Sequence, residues 1–150
     1  MAKSEKQKLK LLYIIQCLME KTDEEHAVTT QEIIDYLALQ GITAERKSIY
    51  TDIDLLIDFG MDIIKKPGRS GGYTLASRQF ELAELKLLVD AVQSSKFITT
   101  KKSRELIGKL ETLCSKYEAT QLHRQVVVTN RNKAINENIY YNVDIHLQCN

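Results

Sequence analysis

Apolar residues recur at helical spacing from the start of the chain. Leu11, Ile14, Ile15 and Leu18 stand at i, i+3, i+4 and i+7, and Leu12, Cys17 and Met19 widen that stripe. The pattern predicts a helix from Glu5 to Glu20, buried on much of its circumference. A polar loop from Thr22 to His26 follows. A second helix opens at Thr29 or Thr30, because Thr29 and Glu32 have capping-box spacing, in which each side chain satisfies a free backbone N–H. Ile33, Ile34 and Leu37 form its inner face, and Gly41 stands where a helix ends in a left-handed residue. A third helix starts almost at once, with Thr43 as the expected N-cap. Ile49, Ile53, Leu56 and Ile57 give it an apolar face, and Gly60 stops it. Two helices joined by so short a turn through a glycine make a helix-turn-helix.

The period then changes. Asp62–Lys66 and Gly72–Leu75 read as short strands around Pro67-Gly68-Arg69-Ser70-Gly71, a glycine-rich hairpin turn. A helix-turn-helix followed by a hairpin is a winged helix. From Phe80 the helical period returns, with Leu82, Leu85, Leu88, Val89 and Val92 in one stripe that ends near Ser94-Ser95. Another helix is expected from Thr99 or Thr100, with Leu106, Leu110, Leu113 and Tyr117 inward. The β-branched run Arg124–Thr129 predicts a strand, and Ala134–His146 a last helix with Ile135, Ile139, Tyr140 and Val143 apolar. Gly108 is the only glycine beyond residue 75, and the single proline precedes that point, so tight turns are confined to the first half. The expected fold is mostly α with a small β-hairpin wing. It comprises a winged helix-turn-helix over residues 1–78 and a helical connector over 79–150 that contains one short strand.

Composition narrows the classes. A chain of 150 residues with 43% hydrophobic and 27% charged content suits one globular domain or two small ones. No apolar run approaches the roughly 18–20 residues that span a bilayer. Cys17, Cys114 and Cys149 are an odd number without metal-ligand spacing, which predicts reduced thiols and a cytoplasmic location. The net charge of +1 creates no global field toward nucleic acid or membrane. Any nucleic-acid binding must therefore come from local arrangement.

That local arrangement lies around the third helix, whose first residues reach base edges in a helix-turn-helix. Its outer face, Lys47, Thr51, Asp54 and Asp58, is basic and polar at the start and acidic at the end. Phosphates repel the acidic end, so the first two turns are expected in the groove, with Arg46, Lys47, Ser48, Tyr50 and Thr51 as contacts. Arg46 suits guanine, whose two acceptors match its fork. Lys65, Lys66 and Arg69 arm the wing, which can lie along the backbone or enter the minor groove. The same charges also suit an ordinary surface hairpin. Thr29 and Thr30 begin the second helix, whose N-terminus can meet a phosphate. Lys6, Lys8 and Lys10 add positive charge at the chain start.

Enzymatic chemistry finds little support. His26, His123 and His146 are scattered, Asp52, Asp54 and Asp58 have no partner base and read as a solvated face, and Gly68–Gly72 is no phosphate loop because no G-K-[ST] follows. No catalytic group, metal or cofactor is expected.

Residues Ile42–Leu75 resemble the DNA-binding domain of WYL-domain transcriptional regulators. The resemblance runs through Arg46-Lys47-Ser48-Ile49-Tyr50-Thr51-Asp52-Ile53, Gly60-Met61 and the wing that ends in Gly72-Tyr73. Phe80–Val92, Lys102–Leu113 and Asn136–Tyr141 are similar to that family's helical connector. The resemblance implies a bacterial transcription regulator that binds duplex DNA through Arg46, Lys47, Ser48, Tyr50 and Thr51 and forms a homodimer through the connector. Family members usually continue into a ligand-binding WYL sensor domain. This chain stops where that domain would begin and contains no Trp, so no sensor residue carries over.

The leading expectation is a sequence-specific, homodimeric DNA-binding regulator that reads two half-sites. The alternative is a protein–protein interaction module on a winged-helix scaffold, which the near-zero net charge favours. Steep loss of binding with salt separates the two.

Overall fold

A computed structural model describes residues 2–127. The elements run α1 (Ala2–Lys8), α2 (Lys10–Lys21), α3 (Thr30–Leu39), α4 (Arg46–Phe59), β1 (Ile63–Lys66), β2 (Gly72–Leu75), α5 (Leu82–Ser94), α6 (Thr100–Glu111) and α7 (Lys116–Val127). The fold is mostly helical with one small antiparallel hairpin, and it divides into two compact units at Gln79/Phe80.

In the first unit α2, α3 and α4 enclose a core of Ile14, Cys17, Leu18, Ile33, Leu37, Ile49, Ile53 and Leu56, closed by Val28, Ile63, Tyr73 and Leu75. The expected first helix is broken at Leu9, whose N–H bonds the Lys6 carbonyl three residues back. The α3 cap forms as its spacing predicts: Thr29 Oγ1 accepts from the Glu32 N–H, and a Glu32 carboxylate oxygen accepts from the Thr29 N–H. Gly41 follows α3 at φ 76°, and the buried Ile42 donates back to the Leu37 carbonyl. That turn satisfies the free end of α3 while pinning the chain to the core. Thr43 is not the cap of the next helix. Glu45 holds that position, and its side chain makes no capping bond.

The hairpin pairs Ile63 with Leu75 and Lys66 with Gly72. Its two strands differ in burial: β2 is covered over Tyr73–Leu75, whereas β1 exposes Ile64–Lys66. The cause is a second backbone neighbour. Val28 and Tyr73 exchange hydrogen bonds of 2.8 and 3.0 Å, an isolated bridge that makes β2 central and β1 an edge. Gly72 permits this approach, since a Cβ there would lie 2.2 Å from the Val28 carbonyl oxygen. The bridge places the start of α3 beside the wing. Thr22, fully buried at the end of α2, ties the same region together: its hydroxyl bonds the Leu18 carbonyl and accepts from the Leu75 N–H, while Arg78 donates to its carbonyl.

In the second unit α5, α6 and α7 pack pairwise around Leu85, Val89, Ile107, Cys114 and Leu122. Glu81 and Glu84 form a capping box on α5, and Thr99 caps α6. Three expectations need correction. Ile107 rather than Leu106 is the buried apolar residue of α6, and Tyr117 is 39% exposed. The helix from Thr100 does not run on to Tyr117. It stops at Glu111, and Ser115 starts α7 by bonding the Glu118 N–H while Glu118 reaches back to the Ser115 N–H. The strand predicted over Arg124–Thr129 is helix through Val127, because Leu122 and Val126 lie on the face of α7 that packs into the core. That packing overrides the β preference of the run. The remainder of that run, the helix expected over Ala134–His146 and the Asn136–Tyr141 segment lie outside the described residues.

Candidate nucleic-acid interface

A cleft of about 490 Å³ opens where the starts of two helices meet the wing. Thr29, Thr30 and Gln31 line it from α3, Arg46 and Tyr50 from α4, and Lys65, Lys66, Arg69 and Tyr73 from the hairpin, with Gly68, Gly71 and Gly72 between them. Each wall has a local cause. The Val28–Tyr73 bridge fixes the α3 start against β2, the short turn after Gly41 swings the α4 start to the same side, and the edge position of β1 turns its lysines outward.

The cleft is electropositive. It gathers Arg46, Lys65, Lys66 and Arg69, and the α3 macrodipole adds partial positive charge at the Thr29 end. The first turn of α3 leaves the N–H groups of Thr30 and Gln31 without intrahelical acceptors. The cations are held loosely. Arg46 donates to the Gln31 side-chain oxygen at 3.4 Å, and Lys66 donates to the Glu24 carbonyl at 3.3 Å. Lys65 differs: its ammonium is 2.5 Å from Asp54 on the outer face of α4. That hydrogen bond raises the Lys65 pKa above its usual value, opposed by desolvation and reinforced by the Asp54 charge. Asp54 therefore offsets a wing cation, a role that its place among the outward acids did not reveal.

Of the ten expected contact residues, seven line the cleft: Thr29, Thr30, Arg46, Tyr50, Lys65, Lys66 and Arg69. Lys47 and Thr51 lie outside it on the exposed outer face of α4, where the Thr51 hydroxyl bonds the Lys47 carbonyl. Ser48 faces the other way. It is half-buried and accepts a hydrogen bond from Lys10, which also pairs with Asp52 at 2.5 Å. Lys10 is 7% exposed, so it is a structural cation rather than part of the basic chain start, and Asp52 is its partner rather than part of a solvated face. A signal was present: Lys10, Ile14 and Cys17 stand at i, i+4 and i+7, which puts Lys10 on the buried stripe. Gln31 is the cleft residue that sequence reasoning missed. Its position two residues after the cap is the feature that could have suggested it.

His26 bonds Asp23 at 2.7 Å and His123 bonds Glu111 at 3.2 Å, while His146 lies outside the described residues. Among the described residues, no group of three or more His, Cys, Asp or Glu is placed to hold a metal ion, and no helix is long and apolar enough to cross a membrane. Cys17 and Cys114 are buried and are not joined in a disulfide, and the Cys114 thiol donates to the Glu111 carbonyl.

Residues 12–68 match the family described as FokI, D3 domain. The matched stretch begins in α2, contains the whole helix-turn-helix and ends in the turn of the wing. No curated protein and no solved structure matches the chain.

Proposed function

We propose that the first unit binds double-stranded DNA, with the start of α4 in the major groove and the cleft and wing on the phosphate backbone. One observation carries this reading: Arg46, Lys66 and Arg69 converge with Tyr50 and the capped start of α3 in a single open cleft. A phosphodiester suits that set, since it offers charge to the cations and acceptors to the free N–H groups of the α3 turn. The match to the FokI D3 domain supports a DNA-associated role for the same residues. Lys47 and Thr51, on the outer face beside the cleft, are then the base-reading side chains, and Arg46 bridges backbone and base contact.

The finer reading is a homodimeric transcription regulator of WYL type, acting in the cytoplasm as a binding module without a catalytic step of its own. The family match names FokI D3 and not WYL, so this part rests on the residue resemblance of Arg46–Ile53, the wing and the α5 segment. Two observations favour the interaction-module alternative: Asp54 compensates Lys65, and Asp58 and Phe59 are exposed on the later turns of α4.

The test is fluorescence anisotropy with labelled duplexes from the gene's upstream region and scrambled controls, across a salt series. Arg46→Ala should weaken binding to every duplex and flatten the salt slope. Lys47→Ala should reduce discrimination between duplexes. If binding is insensitive to salt and to both changes, the cleft does not bind DNA.

A further inference from the structure

Helix α2 carries a second apolar face, opposite the one it buries. Lys10, Ile14, Cys17 and Leu18 are buried, whereas Leu12 is 61% exposed, Leu9 42% and Met19 39%. At 3.6 residues per turn Leu12, Gln16 and Met19 fall together on the outward side. The seam continues past the start of α2 through Leu9, whose backbone stays right-handed helical (φ −83°, ψ −8°). Exposed charges close its two ends: Lys8, the last residue of α1, and Glu20, which follows Met19. Glu20 makes a single long contact, accepting from the Tyr36 hydroxyl at 3.4 Å.

A seam that is basic at one end, acidic at the other and mostly apolar between, with Gln16 its polar member, is complementary to itself in antiparallel orientation. A two-fold axis beside residue 14 sets Lys8 against Glu20 of the second copy, Leu9 against Met19, and Leu12 against Gln16, and every pair occurs twice, as a symmetric interface requires. We propose that a second copy of this chain docks on this face, α2 against α2. The outward face of α5 also exposes apolar side chains, with Leu87 at 72%. It suits a second copy less well: Glu84 and Asp90 flank Leu87 on either side, so a two-fold there would oppose like charges. The inference supplies an interface for the homodimer in the reading above and does not depend on DNA contact. A 12-residue helix is only about 18 Å long, so the interface is small and the dimer weak and concentration-dependent.

Sedimentation velocity of the full chain over a concentration series, without DNA, tests the pairing. The parent should pass from monomer to dimer. Lys8→Glu or Glu20→Lys alone should raise the midpoint at least about five-fold, since each change creates two like-charge contacts, and the Lys8→Glu/Glu20→Lys double variant should bring it back. Leu12→Asp should leave a monomer whose circular dichroism matches the parent. A chain that stays monomeric throughout overturns the proposal, as does a dimer that ignores the charge reversals or that Leu87→Asp disrupts and Leu12→Asp does not. Arg46→Ala, measured alongside, should lose DNA while dimerising normally, so a failed interface and a failed DNA reading give different results.

Discussion

Gly72 in β2 and Gly108 in α6 are the same residue in opposite physical situations. A Cβ on Gly72 would strike the Val28 backbone, which cannot retreat without losing the bridge to Tyr73, whereas a Cβ on Gly108 meets nothing within 4 Å. The difference extends to the units that hold them. The first unit is joined by backbone and polar contacts between residues far apart in sequence: Val28 to Tyr73, Thr22 to Leu75, and Lys10 to Asp52. The second has a compact apolar core and helix caps, and side chains rather than a backbone bridge make its long-range polar contacts, Gln93 to the Val126 carbonyl and Gln125 to the Lys86 carbonyl. A site built from several segments needs the first kind of construction, because each wall of the cleft comes from a different element.

Substitutions can break or sharpen this contrast. The largest effect is expected from Lys10→Ala, which strands the Asp52 carboxylate at 15% side-chain exposure and should cost about 3 kcal/mol. Denaturant unfolding of the single change against Lys10→Met/Asp52→Leu checks it, since the double change removes both charges and should recover most of the loss. Next is Gly72→Ala, which should destabilise the first unit by about 2 kcal/mol through strain or loss of the Val28–Tyr73 bonds. Hydrogen exchange would report faster exchange at Val28 and Tyr73 with α5–α7 unchanged, and uniform acceleration in both units would contradict their independence. Gly108→Ala has the opposite sign. It should stabilise the second unit by about 0.5–1 kcal/mol, because glycine is a poor helix residue and its position is open. A loss of stability there would mean that the exposed side of α6 is covered. The smallest effect lies within the wing. Lys66→Ala should reduce the salt slope of DNA binding by about one, and Lys65→Ala by less, since Asp54 already compensates Lys65. Equal slopes would show that DNA displaces the Asp54 pairing.

Features decided within a few residues were legible in the chain itself. The Thr29–Glu32 capping box, the glycine ends of α3 and α4 and the hairpin around Pro67–Gly71 all stand where local spacing puts them. The Ser115–Glu118 box is equally local, but the apolar period through Leu113 and Tyr117 hides it by predicting one continuous helix. The contact residues divide along the same line. Those at helix starts and on the hairpin gather in the cleft, whereas Ser48 and Lys10 turn inward to each other.

Sequence by itself determined the period of each segment, the cap and turn chemistry, and so the order of helices and hairpin, because those depend on neighbours three or four positions away. Only tertiary structure decided which charges are structural and which are free. Lys10 and Lys65 carry the same group, yet one is buried on Asp52 and the other is held at the surface by Asp54, 42 and 11 residues further along or back. The same holds for Val126, whose run favours a strand and whose place on the core face of α7 makes it helix. Burial and pairing energies depend on what packs opposite a residue, and that partner is set by the folded chain and not by the local pattern.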